Sequence, residues 1–197
     1  VLNSSQRNTL EKAVLAARRA SEQGAVNALK AFAVHHHEPY AHMSGEDRAL
    51  RNHLRSKARL LGDHTTKDGG HTINKLAYEL AYEYWHRMLF ARFLEANDLL
   101  IHPEHQMAVS LEECEELAAE EEHEDKWVAA AYYASKMLPA IFRQDDPLME
   151  IKFATEDRIK LEQILESIGD EIYKADDSLG WVYQYWQSEA KESINAS

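Results

Sequence analysis

What most limits the fold of this chain is how rarely its backbone is interrupted. Seven glycines and four prolines are spread over 197 residues, roughly half the usual share of the two. A strand-rich domain turns back on itself roughly every eight to twelve residues, and its tight turns draw on Gly and Pro. Apolar residues recur instead at three- and four-residue spacing, the period of a helix with one buried face. The expectation is an all-α fold of about seven helices around one long central helix, with little or no sheet.

The first helix is capped by Ser4 or Ser5 and places Leu10, Val14, Ala17, Ala28, Leu29 and Phe32 on one side, with Gly24 weakening its middle. The segment His35 to His42, containing Pro39, breaks it. A second helix starts at Ser44, where Asp47 three residues on resembles a capping box, and its stripe is Leu50, Leu54, Ala58 and Leu61. After a loop from Asp63 to Gly70, a long helix from about Ile73 to Asn97 presents Leu76, Leu80, Tyr84, Met88 and Phe93, flanked by Ala77, Trp85 and Leu89. Ser110 and Glu113 form a second capping box on a short acidic helix. Asp125 caps a helix to about Phe142 with Trp127, Val128, Ala131, Tyr132 and Ser135 inward. A weak strand-like alternation runs from Met149 to Phe153; Thr155 opens a helix through Ile168, and Asp176 or Asp177 starts the last, with Leu179, Val182, Tyr185 and Trp186 inward.

A single cysteine cannot form an intramolecular disulfide, which points to a reducing, cytoplasmic setting. No apolar run approaches the roughly 18 residues of a membrane span, and no secretory signal is visible, so a soluble protein without a membrane partner is expected. Neither a Gly-x-Gly-x-x-Gly nor a Walker lysine loop occurs, and the pair Gly69-Gly70 lies in a polar loop. Cys114 stands among Glu112, Glu113, Glu115 and Glu116, whose charge disfavours a thiolate, so it reads as a half-buried helix residue and not a nucleophile.

Two patterns invite a metal reading. His35, His36 and His37, with His42 beyond, cannot all face one ion from a regular helix, and a solvated helix end explains them better. Glu83-x-x-His86 and Glu120-x-x-His123 have the form by which helical bundles hold two iron or manganese ions. Against it, Glu120 and His123 stand in a stretch with nine acidic residues and no base from Glu112 to Asp125, which looks like a solvated surface.

Charge is distributed unevenly. The net is −12, from 22 Lys and Arg against 34 Asp and Glu, yet residues 1–62 carry ten basic and five acidic residues while 63–197 carry twelve and twenty-nine. The chain is therefore divided into a basic N-terminal helical part, 1–62, and an acidic helical part, 63–197, packed as one domain. Arg48, Arg51, Arg55 and Arg59, three and four apart, form a stripe along the second helix that could meet DNA phosphates. The competing reading docks this stripe onto acidic protein surface.

Two stretches are recognisable as words. Leu76 to Leu100, LAYELAYEYWHRMLFARFLEANDLL, and Ala175 to Asn195, ADDSLGWVYQYWQSEAKESIN, together resemble the helical N-terminal region of large adenine-specific DNA methyltransferases, such as the methylases of the BREX and DISARM phage-defence systems and related fused restriction-modification proteins. The resemblance extends from about Arg48 onward and takes in the stretch IHPEHQMAVSLEECEELAAE. It implies a parent enzyme that methylates the N6 of adenine in double-stranded DNA with S-adenosylmethionine as cofactor. The Gly-rich cofactor loop and the Asn/Asp-Pro-Pro-Tyr/Phe motif of that family do not occur, so the S-adenosylmethionine-binding catalytic domain is expected after residue 197 and no catalytic residue is assigned here. The expected role is a non-catalytic module that supports its own methyltransferase domain and offers phosphate contacts; the alternative is an interaction module for other defence-system subunits.

Overall fold

The computed structural model describes residues 1–195, with side chains through residue 188. It is all-helical: α1 (Ser4–Ala31), α2 (Gly45–Leu61), α3 (Asn74–Ala96), α4 (Leu111–Glu120), α5 (Lys126–Met137), α6 (Thr155–Ser167), α7 (Asp170–Lys174) and α8 (Ser178–Asn195), with a 3-10 turn at Pro147–Glu150. Extended pairing among the described residues is limited to two isolated antiparallel bridges, Thr65 with His71 and Ile101 with Ala108.

Packing separates the chain into two units that do not follow the charge boundary at Gly62. One comprises 1–18, 85–144 and 162–197; the other comprises 19–84 and 145–161. The residues of α1, α3 and α6 are divided between them. The first unit has 10 basic and 21 acidic residues and the second 12 and 13, so the basic excess of residues 1–62 is diluted within the units.

In the first unit, Ala91, Leu94, Leu100, Leu111, Cys114 and Ala118 pack with Ala129, Ala130, Tyr133, Ala134 and Phe142. The run of alanines lets α5 approach α4 closely, and Tyr133 and Phe142 fill what remains. The fully buried face of α5 is Ala129, Ala130, Ala131, Tyr133 and Ala134, which shares only Ala131 with the expected one: Trp127 and Tyr132 pack half-buried against the core, Ser135 is half-buried and Val128 is exposed. The helix ends at Met137, short of Phe142, because Leu138 precedes Pro139 and leaves the helical region at φ −129°. The end of the first recognisable phrase packs here on α7, which lies just ahead of the second phrase. Arg92 pairs with Asp170 and lies over the Tyr173 ring at 4.7 Å, and the Asn97 amide donates to the Tyr173 carbonyl at 3.1 Å. The N-terminus joins them, with the Leu2 N–H on Asp177 at 3.0 Å and Arg7 over Trp181.

Two helix starts are fixed by side-chain caps, Asn3 in the first unit and Ser44 in the second. Both are genuine helix caps: Asn3 and Gln6 exchange hydrogen bonds, so Asn3 and not Ser4 or Ser5 caps α1, while Ser44 and Asp47 form the expected capping box of α2. α2 stops at Gly62, whose φ of 107° suits only glycine without strain. The next residue, Asp63, is buried and accepts from the Leu76 and Lys75 N–H groups at 2.9 and 3.2 Å, satisfying the orphan donors that open α3.

Residues 149–153 do not form a strand. Met149 and Glu150 belong to the 3-10 turn, and residues 151–153 follow it as an unpaired segment that buries Ile151 and Phe153. Phe153 stacks on Tyr84 with centroids 3.8 Å apart and presses against Gly24, where an added Cβ would fall 2.6 Å from the ring. Gly24 thus leaves α1 continuous and makes room for a ring. Helix propensity alone favours Gly24→Ala by about 1 kcal/mol; the overlap with Phe153 reverses the sign, and urea denaturation is expected to show a loss of about 1–3 kcal/mol.

Candidate nucleic-acid interface

The four arginines of α2 do not act alike. With about 100° per residue, Arg48, Arg55 and Arg59 cluster within about 40° on the helix, whereas Arg51 lies about 20° from Ala58 on the buried stripe. The structure follows this geometry. Arg51 is 3% exposed, and its guanidinium donates from Nε to the Ala33 carbonyl at 2.8 Å and from an Nη to the His36 carbonyl at 2.7 Å. Ala33 terminates α1 in the left-handed region at φ 54°, and Val34 donates back to Leu29 at 3.1 Å. A cation placed at that helix end meets the negative end of the dipole. Arg51 therefore anchors α2 and is not available to phosphate.

Arg48 and Arg59 are exposed, and Arg55 is half-buried. Arg48 donates to the Met43 carbonyl at 3.2 Å, Arg59 to the Ser56 hydroxyl at 3.1 Å, and Arg55 to the Gly69 carbonyl at 3.3 Å. No carboxylate among the described residues pairs with any of the three. Burial and then the charge of Arg55 lower the proton affinity of Arg51, and burial and then Arg59 do the same to Arg55, so the row is a set of like charges without internal neutralisation. Lys57 differs, because Asp146 holds its ammonium at 3.1 Å.

The loop facing this helix is ordered by backbone contacts. His35 accepts the His71 N–H at 3.0 Å, and Gly70 packs so tightly that a Cβ there would lie 2.8 Å from the His35 oxygen. The pair Gly69-Gly70 thus closes the Thr65–His71 bridge. In the His35–His42 segment the rings stack on one another, His36 on His37 at 4.3 Å and Tyr40 on His42 at 5.8 Å. Among the described residues no three His, Cys, Asp or Glu side chains are arranged to share a metal ion. Glu120 is exposed, His123 lies 3.7 Å from Glu121, and His86 packs edge-on against Phe90, its basicity lowered by burial and then by Arg87. Glu83 is half-buried on the same helix as His86.

A polar cluster that spacing alone does not reveal lies in the first unit. Glu121, within the acidic run, accepts from Tyr133 at 2.7 Å and from His102 Nε2 at 2.6 Å. Nδ1 of His102 accepts the N–H groups of Glu104 and His105, so the proton of the neutral ring sits on Nε2 and points at the carboxylate. Tyr133 first and His102 second hold the Glu121 carboxyl below the usual carboxylate range, while burial and then Glu121 push the Tyr133 phenol up. Cys114 is fully buried, not half-buried, and burial with Glu95, Glu113 and Glu121 pushes its thiol up to about 12. This cluster holds donors and acceptors in balance and offers no nucleophile.

Two measurements separate anchor from interface and core from surface. Arg51→Met leaves two carbonyls without their donor and is expected to cost about 2 kcal/mol in urea denaturation; Arg48→Met and Arg59→Met are expected to stay within about 0.5 kcal/mol. Glu121 stabilises the fold in its charged form, fully above the range where an unfolded glutamate titrates and less as pH falls through its depressed folded value. Glu121→Ala is accordingly expected to cost about 2 kcal/mol at neutral pH, with a difference from the parent chain that shrinks as the pH is lowered below the usual carboxylate range. No helix of the described residues is long and apolar enough to cross a membrane. Compared with family models, with curated proteins and with solved structures, the chain matches none.

Proposed function

We propose that this chain is a non-catalytic helical module of an adenine-specific DNA methyltransferase of a phage-defence or restriction-modification system, and that α2 contacts the phosphates of double-stranded DNA. The observation that carries the DNA contact is the set of three guanidiniums, Arg48, Arg55 and Arg59, gathered on one side of α2 with no carboxylate partner among the described residues. A polyanion would relieve the repulsion within that row, and each phosphate neutralised would release condensed counterions. Of the four arginines in the original stripe, Arg51 is reassigned to holding the helix in place.

The methyltransferase assignment rests on the phrases Leu76–Leu100 and Ala175–Asn195. Arg92 and Asn97 of the first phrase hold α7, and Asp177 of the second holds the N-terminus, so each phrase carries residues that fix this part of the fold. In this reading S-adenosylmethionine and the methyl-transfer chemistry belong to a separate catalytic domain, and the module acts in the cytoplasm. An interaction module for other defence-system subunits is the competing reading.

Fluorescence anisotropy with a labelled duplex, read across a salt series, tests the contact. The parent chain is expected to bind with an affinity that falls steeply with salt, and Arg48→Ala with Arg59→Ala to lower the slope of log K against log salt by about 1.8. An unchanged slope, or self-association that does not respond to duplex, would favour the interaction module.

A further inference from the structure

The outward face of α2 carries more than charge. Arg48 and Arg59 lie eleven residues apart, which places them about 16 Å apart along the helix axis and within about 20° of one another around it. Between them on the same side, within about 80° of Arg48, stand Asn52 and Ser56, with Ala49 and His53 on the adjoining strip. Asn52, Ala49, His53 and Ser56 are all exposed. The side chains of Asn52 and His53 make no hydrogen bond among the described residues, and the Ser56 hydroxyl is used only as an acceptor for Arg59. Glu46, in the first turn, is the one exposed carboxylate of the helix without a capping role, since Asp47 is occupied by Ser44.

This arrangement suits a helix lying along a B-form major groove, which is wide enough to admit it. Arg48 and Arg59, about 16 Å apart along the axis at one azimuth, then follow the phosphates of one strand, while Asn52 and Ser56, turned about 40° and 80° from Arg48, face the groove floor. Asn between them has the donor and acceptor pair that reads adenine at N6 and N7; Ser reads either base of a pair, and the Ala methyl suits the thymine methyl. An ion-pairing surface for a protein would need only the cations. A face in which a strip of uncharged hydrogen-bonding side chains runs beside the row of cations has a use for the bases as well.

We infer that α2 is a groove-reading helix that inserts its Arg48–Asn52–Ser56–Arg59 face into the major groove of duplex DNA, with Asn52 and Ser56 on base edges and Arg48 and Arg59 on the flanking phosphates. This inference rests on the DNA reading above and adds sequence discrimination to it. Arg51, tied to Ala33 and His36 behind the helix, fixes which face is presented. The chosen partner is B-form DNA, because the major groove of an A-form RNA duplex is too deep and narrow to admit the helix.

The test uses the chain with a pool of duplexes randomised over a central segment, selected in parallel by the parent, by Asn52→Ala with Ser56→Ala, and by Arg48→Ala with Arg59→Ala, each first shown by circular dichroism to keep its helix content. The parent is expected to enrich a short motif over the pool. Asn52→Ala with Ser56→Ala should lose about 5- to 100-fold discrimination at one or two base pairs of that motif, with its salt slope on unselected duplex unchanged. The arginine pair should lose affinity evenly across sequences together with slope. A parent that binds duplex with a normal salt slope but enriches nothing, or an Asn52/Ser56 variant that enriches the same motif undiminished, overturns the inference and leaves the phosphate contact standing. Absence of any salt-dependent duplex binding removes both. Preference for an RNA duplex of the same sequence over the DNA also overturns it.

Discussion

The burial of one guanidinium governs what the second unit presents to its surroundings. Arg51 gives up solvent to lie against the carbonyls that close α1, and two charge-assisted hydrogen bonds offset that cost. Because the helix can turn only so far without withdrawing those bonds, the position of Arg51 sets the azimuth of every other side chain on α2. Leu54 and Ala58 fall inward with it, while Leu60, 88% exposed, falls outward. The basic row is thus a product of anchoring as much as of composition. An arginine serves here where lysine would not, since its fork reaches two carbonyls from one planar group.

The polar cluster of the first unit solves a related problem by other means. Tyr133 is fully buried and needs an acceptor for its hydroxyl, and His102, 1% exposed, needs one for its ring N–H. Glu121 supplies both from a position near solvent, where the carboxylate keeps part of its hydration. What looks from composition like a uniformly solvated acidic stretch therefore contains one residue that belongs to the interior. Burial first, and then the charges of Glu95, Glu113 and Glu121, raise the thiol of Cys114, the single cysteine, so little of it is in the thiolate form that oxidises.

Helix number, the caps at Ser44 and Asp125, and the long helix α3 were legible in the sequence, because each rests on local rules of capping and periodicity that tertiary packing left intact. Readings failed where a local rule met a competing one. The alanine run of α5 carries no periodic signal, so the larger Val128 and Tyr132 drew the inward face towards themselves, and Pro139 ended a helix that apolar content alone would have continued. Gly24 was legible as a weak point and not as a packing site, since its neighbour Phe153 lies 129 positions away in the chain. The site was legible in part. Spacing found the arginine row, but read as one stripe about 80° wide it hides that Arg51, about 20° from Ala58, sits at its buried edge, which only the azimuth of each member brings out. Nothing local connects His102, Glu121 and Tyr133, which are 19 and 12 residues apart.

Asp63 has a mechanical meaning beyond its hydrogen bonds. It follows directly on the glycine that ends α2, and its carboxylate grips the opening turn of α3. The connection between the two helices, nominally twelve residues of loop from 62 to 73, is thereby short-circuited to a single side chain. A load that twists α2 about its axis arrives at the first turn of α3 without passing through the intervening loop. In the second unit, Asp63 is the clutch between two shafts, and a residue there that cannot accept two backbone donors lets them turn independently.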